Sequence, residues 1–182
     1  MTTRRSARGY CLPELLVALA LLGLVMAGAL SILRASLAMY RWGAARVEAQ
    51  QSARVALDRM VKELREAGYD PRAVGIAPVL VAEATRVVFQ RDLDGDGVID
   101  PTSERVAFLV RAGESVLRRD AGGGAQPIIN DVRRLALTYL DRVGRATGDP
   151  AAVASIGIEL AVGPVESPVV METQVTLRNV TG

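Results

Sequence analysis

Residues 8–33 of this chain read RGYCLPELLVALALLGLVMAGALSIL, and the remaining architecture is best understood from this segment outward. From Leu15 to Leu33 there are nineteen consecutive uncharged and almost wholly apolar residues. A helix of that length rises by roughly 28 Å, close to the ~30 Å hydrocarbon thickness of a bilayer. The sequence therefore predicts a helix that can span a membrane.

The charges before this segment predict its orientation. Arg4, Arg5 and Arg8 precede it, and the first nine residues contain no acid. The positive-inside bias then keeps the N-terminus cytoplasmic and places the rest of the chain outside. A cleaved secretory signal is the alternative, but the helical pattern continues past Arg34, so cleavage there would cut a long helix in two.

Gly9, Tyr10 and Glu14, followed by the apolar run, resemble the N-terminus of type IV prepilins and type II secretion pseudopilins. The resemblance implies that a prepilin peptidase cleaves after Gly9 on the cytoplasmic side. It also implies that Tyr10 becomes an N-methylated N-terminus and that Glu14 is the family's carboxylate at the fifth mature position. The chain departs from the family's commoner residues with Tyr10 instead of Phe, and at Cys11 and Pro13.

Glu14 is informative on physical grounds as well. An ionisable group at the edge of a bilayer is costly, so its presence there is a functional hypothesis by default. Tyr10 and Glu14 are one helical turn apart, which brings a freed amine close to the carboxylate. The resemblance implies that the amine pairs with a neighbouring subunit's Glu14 during assembly. The alternative is a carboxylate that merely marks the membrane border.

Composition narrows the function classes. The chain has 22 Lys and Arg against 20 Asp and Glu, and without the three arginines of residues 1–9 the basic count is 19. Neither charge nor the aromatic content of 4% favours nucleic-acid binding. There is no His, which removes the commonest general base, so we predict neither an enzyme nor an organic cofactor. The single Cys excludes an intramolecular disulfide.

After Arg34 the helix is expected to become amphipathic and to continue to about Ala67, with Gly68 as its stop signal. The apolar positions recur at spacings near three and four. They predict a buried stripe made of Leu37, Tyr40, Ala44, Val47, Ala53, Leu57, Met60, Val61, Leu64 and Ala67.

Beyond Pro71 the hydrophobic period changes to two, which is typical of strands. The fold class predicted is α+β and pilin-like: a long N-terminal helix packed on an antiparallel β-sheet domain. The expected parts are a leader at 1–9, a transmembrane or filament-core half-helix at 10–34, an amphipathic half-helix at 35–68 and an extracytoplasmic β-rich domain at 69–182. Strands are expected at 86–90, 105–110, 135–140, 156–162 and 173–178.

One loop concentrates acidic residues at the spacing of a calcium site. Residues 92–100 spell D-x-D-x-D-G-x-x-D, in which alternate carboxylates and one carbonyl can surround Ca²⁺. An EF-hand would carry Glu at the twelfth loop position, where this chain has Ser103, so only an EF-like loop is expected. The alternative is a hairpin whose Asp and Gly residues serve turn geometry. The candidate ligands are Asp92, Asp94, Asp96, the carbonyl of Val98, Asp100 and Glu104.

Residues 64–70, LREAGYD, look like the helix end of PilW-like minor pilins. This resemblance implies a minor pilin that primes or caps a type IV pilus, with the prepilin peptidase, other minor and major pilins and an inner-membrane assembly platform as partners. It implies a single-pass protein of the bacterial inner membrane that later enters a filament. Two alternatives stay open: a J-like pseudopilin of a type II secretion system, and an unprocessed, membrane-anchored binding or sensor domain.

Overall fold

A computed structural model describes residues 11–179. It confirms the α+β class, with one long N-terminal helix and antiparallel strands. The elements in the described range are α1 (Leu12–Leu64), β1 (Val79–Glu83), β2 (Arg86–Gln90), β3 (Arg105–Val110), β4 (Leu117–Asp120), β5 (Gln126–Ile129), β6 (Val132–Leu140), a short 3-10 helix (Pro150–Ala152), β7 (Ser155–Val162) and β8 (Val169–Thr176).

The chain divides into two compact units, residues 1–44 and 45–182. In the first, the described residues belong almost entirely to α1, which begins at Leu12. Its large apolar side chains are uncovered on every side, and Leu24, for example, is 72% exposed. This unit therefore has no core of its own among the described residues.

The second unit contains two antiparallel sheets, ordered β1-β2-β3-β4-β5 and β6-β7-β8. Within each sheet, every strand pairs with its neighbours in the chain. The sheets meet where the backbone N–H of Leu137 donates to the carbonyl of Ala84 at 2.8 Å. The Tyr139 hydroxyl reinforces this junction by donating to the carbonyl of Glu83 at 2.8 Å.

One hydrophobic core joins the end of α1 to both sheets. Phe89 and Phe108 stack with ring centroids 6.1 Å apart, and Ile156 and Leu160 enter from the second sheet. Stacked aromatic pairs add to the stabilisation that burial alone provides. The helix contributes its buried residues Ala49, Ala53, Ala56, Leu57, Met60 and Leu64.

The predicted helical stripe was partly wrong. Val47 is 55% exposed, whereas Ala49 and Ala56 lie in the core. Small residues face the sheets because the backbones approach closely there: a Cβ on Gly163 would lie 2.8 Å from the Cβ of Ala49. The sequence interpretation gave weight to large side chains and therefore missed Ala49 and Ala56. The predicted residues that are buried are Ala53, Leu57, Met60, Leu64 and Ala67.

The predicted end of the helix and some predicted strands also differ from the structure. The regular helix ends at Leu64, and turns follow it as far as Gly68, whose φ of 73° is left-handed. The last strand is Val169–Thr176, so the expected range of 173–178 was displaced. Strands β1, β4 and β5 were not predicted, because β4 reads LRRD and β5 contains a proline, which obscures a period of two.

A charged contact fixes the rotation of the helix. The Nε of Arg119 on β4 donates to both carboxylate oxygens of Glu63, at 2.9 and 2.8 Å. Arg59, one turn earlier on α1, donates to the same carboxylate at 3.1 Å. Because the Glu63 side chain is only 12% exposed, this pairing matters more than an ordinary surface ion pair.

The close approach of α1 to the second sheet can be tested with Gly163→Ala. Gly163 has a φ of 104°, and an added methyl would meet Ala49. We expect the free energy of unfolding to fall by about 2–4 kcal/mol, measured by urea denaturation of a fragment beginning near Arg34. Gly148→Ala is the control, since nothing lies within 4 Å of its added Cβ. Equal stability of the two variants would contradict the packing described.

Candidate functional site

The start of α1 presents Glu14 in its first turn. The carbonyl of Cys11 accepts hydrogen bonds from the backbone N–H groups of Glu14 at 3.1 Å and Leu15 at 3.3 Å. Pro13 fits because its missing N–H would have no helical partner at this position. The partial positive charge of a helix N-terminus favours a carboxylate here. Gly9 and Tyr10, the predicted processing residues, lie outside the described residues.

The helix that follows Glu14 is long and apolar enough to cross a membrane, judged by its length and composition. Burying one leucine side chain is worth roughly 2 kcal/mol, so an uncovered surface of this kind is unfavourable in water. Lipid or other apolar helices are the surroundings that satisfy it. The segment therefore has the properties of a membrane anchor.

The second candidate site is the acidic loop between β2 and β3, which contains Asp92. This side chain is completely buried. Its Oδ1 accepts from the backbone N–H of Gly95 at 2.7 Å, and its Oδ2 accepts from that of Gly97 at 2.9 Å. Both glycines have left-handed φ values, of 75° and 80°. Asp92 thus holds the loop in a tight turn that glycine permits.

The next two aspartates continue the same local pattern. Asp94 accepts from the backbone N–H of Asp96 at 3.0 Å, and Asp96 accepts from that of Val98 at 2.7 Å. Each carboxylate keeps further acceptor capacity, because an ionised carboxyl offers about four lone-pair positions. Asp92, Asp94 and Asp96 can each place one oxygen within 4.8 Å of the others.

Glu104, predicted as a calcium ligand, does not lie with the other candidate ligands. Its side chain is 2% exposed and lies inside the loop. One oxygen accepts from the N–H groups of Leu93 at 2.6 Å and Asp94 at 3.3 Å, and the other accepts from that of Asp100 at 2.8 Å. Glu104 therefore braces both arms of the loop, and it is not among the three converging carboxylates.

Asp100 also serves the backbone nearby. It accepts from the N–H and the hydroxyl of Thr102 and from the hydroxyl of Ser103. These bonds lower the pKa of its carboxyl below the usual range. Like Glu104, Asp100 lies outside the group of three. The structure thus brings together three of the predicted calcium ligands and assigns two others to holding the loop.

The loop concentrates negative charge, and the Arg72 side chain lies close to it at Gly97. Within residues 11–179, none of the ion pairs includes an acidic residue of this loop. The N–H of Asp96 stabilises the Asp94 carboxylate, but partial loss of hydration and the charges of Asp96, Glu104 and Asp92 raise the pKa of Asp94 overall. Oxygen-rich, anionic surroundings of this kind suit a hard cation such as Ca²⁺.

The loop is also attached to the end of α1. The N–H of Asp92 donates to the carbonyl of Tyr69 at 2.8 Å, and the N–H of Gly68 donates to that of Gln90 at 2.9 Å. Arg91, which is buried, pairs with Glu66. Sequence reasoning missed this pair, because nothing local relates two residues that are 25 positions apart.

A comparison with family models matches residues 4–30 to the Prokaryotic N-terminal methylation motif. The match includes the predicted processing residues Gly9 and Tyr10, together with Glu14. A comparison with curated proteins found no match to the chain. The N-terminal signal is thus that of type IV prepilin-like proteins and supports a pilin-like or pseudopilin-like protein. The narrower likeness to PilW-like proteins finds no support in these comparisons.

The bracing role of Glu104 predicts a specific loss of stability. Glu104→Ala would leave three backbone N–H groups without their acceptor, and we expect the free energy of unfolding to fall by at least ~2 kcal/mol in the absence of calcium. Glu166→Ala, which removes an exposed acid elsewhere, is the control. Urea denaturation of the fragment beginning near Arg34 measures both. Equal midpoints would show that the loop does not depend on Glu104.

Proposed function

We propose that this chain is a minor pilin, a structural subunit that primes or caps assembly of a type IV pilus. The observation that carries this proposal is the methylation motif at residues 4–30, continuous with a helix whose apolar surface its own chain leaves uncovered. Such a surface is suited first to lipid and then to the neighbouring helices of a filament. The β-rich second unit supplies the exported domain.

The chemistry of assembly follows from cleavage after Gly9. The prepilin peptidase releases the amine of Tyr10, one helical turn from Glu14. In apolar surroundings the attraction between an amine and a carboxylate is far stronger than in water. A subunit that offers its amine to the Glu14 of a neighbour would gain this attraction only in the correct axial position. N-methylation keeps the amine basic, so the pairing persists.

In this proposal the N-terminus faces the cytoplasm and the β-rich unit lies outside the inner membrane until the subunit enters the filament. Other minor and major pilins and the inner-membrane assembly platform are its partners. A J-like pseudopilin of a type II secretion system is the alternative, since the same motif and helix serve that machine. An unprocessed anchored sensor is the alternative from another class.

N-terminal processing tests the class of protein directly. We expect mass spectrometry of the native protein to show a mature chain that begins with N-methylated Tyr10. The physical reason is that residues 1–9 would otherwise separate the amine from Glu14. A native protein that retains Met1 to Gly9 would exclude both filament proposals and would favour the sensor.

Glu14→Ala tests assembly apart from processing. We expect this variant to be processed and inserted in the membrane but to be recovered in sheared filaments at no more than about a tenth of the parent amount, as loss of one charge pair in an apolar site would cause. Glu48→Ala, an exposed acid on the same helix, is the matched control. Incorporation of the Glu14 variant at the parent level would contradict the proposed docking role.

We also propose that the acidic loop binds Ca²⁺ through Asp92, Asp94 and Asp96. Their oxygens lie within 4.8 Å of one another, and the charge of the loop is not offset by any ion pair in the described part of the chain. The carbonyl of Val98 completes the proposed ligand set together with the Asp100 carboxylate, which would act through water while it holds Thr102 and Ser103. Glu104 supports the loop from inside. A bound cation would stabilise the turn by removing repulsion among the carboxylates.

Calcium binding predicts a thermal shift. At a calcium concentration of a hundred times Kd, a site present only in the folded state adds about 2.7 kcal/mol, so the Tm of the fragment beginning near Arg34 should rise. Asp94→Asn combined with Asp96→Asn keeps the turn acceptors but removes charge, and should abolish the shift. Asp141→Asn is the control, because Asp141 caps a separate turn. Identical melting with calcium and with chelator would reject calcium binding.

A further inference from the structure

Strand β8 leaves one edge of its sheet without a partner. All of its residues pair with β7, and no other described segment makes a main-chain hydrogen bond to Val169–Thr176. In an antiparallel pair, every second residue directs its N–H and C=O away from the neighbouring strand. The outer edge of β8 therefore presents a row of free donors and acceptors.

Two other strand edges are protected by devices that β8 lacks. β5 has four residues and contains Pro127, which cannot donate to a further strand. β6 is tied to the β1–β2 turn through Leu137 and Ala84. β8 has eight residues, no proline, and a regular register without a bulge. Its backbone therefore offers a less guarded edge than β5 or β6.

Positive charge lies beside this edge. Thr173 of β8, the polar flank of α1 and Arg178 line a groove of about 530 Å³. The cations here are Lys62, Arg65 and Arg178, and none of them takes part in an ion pair within residues 11–179. Two acids, Asp58 and Glu66, lie in the same groove, and Glu66 is engaged by the buried Arg91.

We propose that the edge of β8 receives an extended segment of another protein, which adds a strand and directs acidic side chains towards Lys62, Arg65 and Arg178. Addition of a strand satisfies the free backbone groups, and the side chains then determine specificity. A second copy of this chain fits less well, because β8 itself carries Glu172 as its only acid. The proposed contact uses neither Glu14 nor the aspartates of the acidic loop, so the inference does not rest on the proposed function.

The test uses the full-length protein in detergent micelles and two short synthetic peptides, one alternating threonine with glutamate and one alternating threonine with lysine. Fluorescence anisotropy should show the glutamate peptide binding about tenfold more tightly, as the loss or gain of two exposed charge contacts would produce. Hydrogen exchange should show that the bound peptide slows exchange of amides in Val169–Thr176.

Charge reversal tests the assignment of the groove. Lys62→Glu combined with Arg178→Glu should reverse the preference so that the lysine peptide binds about tenfold more tightly. Both residues are exposed, so the folded domain should tolerate these changes. Arg54→Glu makes a similar change on an exposed part of the same helix and should leave the preference unaltered.

Three results would overturn the proposal. The first is no measurable binding of the glutamate peptide, and the second is binding that leaves exchange in β8 unchanged. The third is protection of β8 that increases with protein concentration in the absence of peptide, because this would show that a second copy covers the edge.

Discussion

The structure of the second unit depends on the contact between one face of α1 and two separate sheets. Neither sheet is closed, and each would expose an apolar face if the helix were absent. The helix offers mainly alanines at Ala49, Ala53 and Ala56 and larger residues at Met60 and Leu64. The small side chains permit the close approach of Gly163 to Ala49, and the larger ones fill the core further along the helix.

The same helix determines how the acidic loop is held. Its final turns lead to Gly68, which bonds to the end of β2, and Tyr69 accepts from Asp92 at the start of the loop. The pair formed by the buried Arg91 and the partly exposed Glu66 lies beside these bonds. Removing Glu66 would leave the buried Arg91 charge without its partner, so the loop and the helix end are expected to behave as a unit.

Much of the architecture could be predicted because its signals are local. Nineteen apolar residues identify the membrane-length helix, and alternation identifies β2, β3 and β7. The missed strands depend on tertiary contacts: Arg119 lies in β4 with its charge satisfied by Glu63 from the helix. The aspartate spacing predicted the converging oxygens, whereas the internal brace by Glu104 depends on how the loop folds back on itself. No periodicity or motif encodes that contact.

The order of strands in both sheets has a kinetic consequence. Within each sheet, every strand after the first is hydrogen-bonded to the one before it in the chain, so strand pairing inside a sheet does not wait for a distant segment. Low sequence separation between contacting segments is associated with fast folding. A chain that emerges N-terminus first can therefore add the strands of each sheet in order, while the core that includes the end of α1 is complete only when β8 is in place.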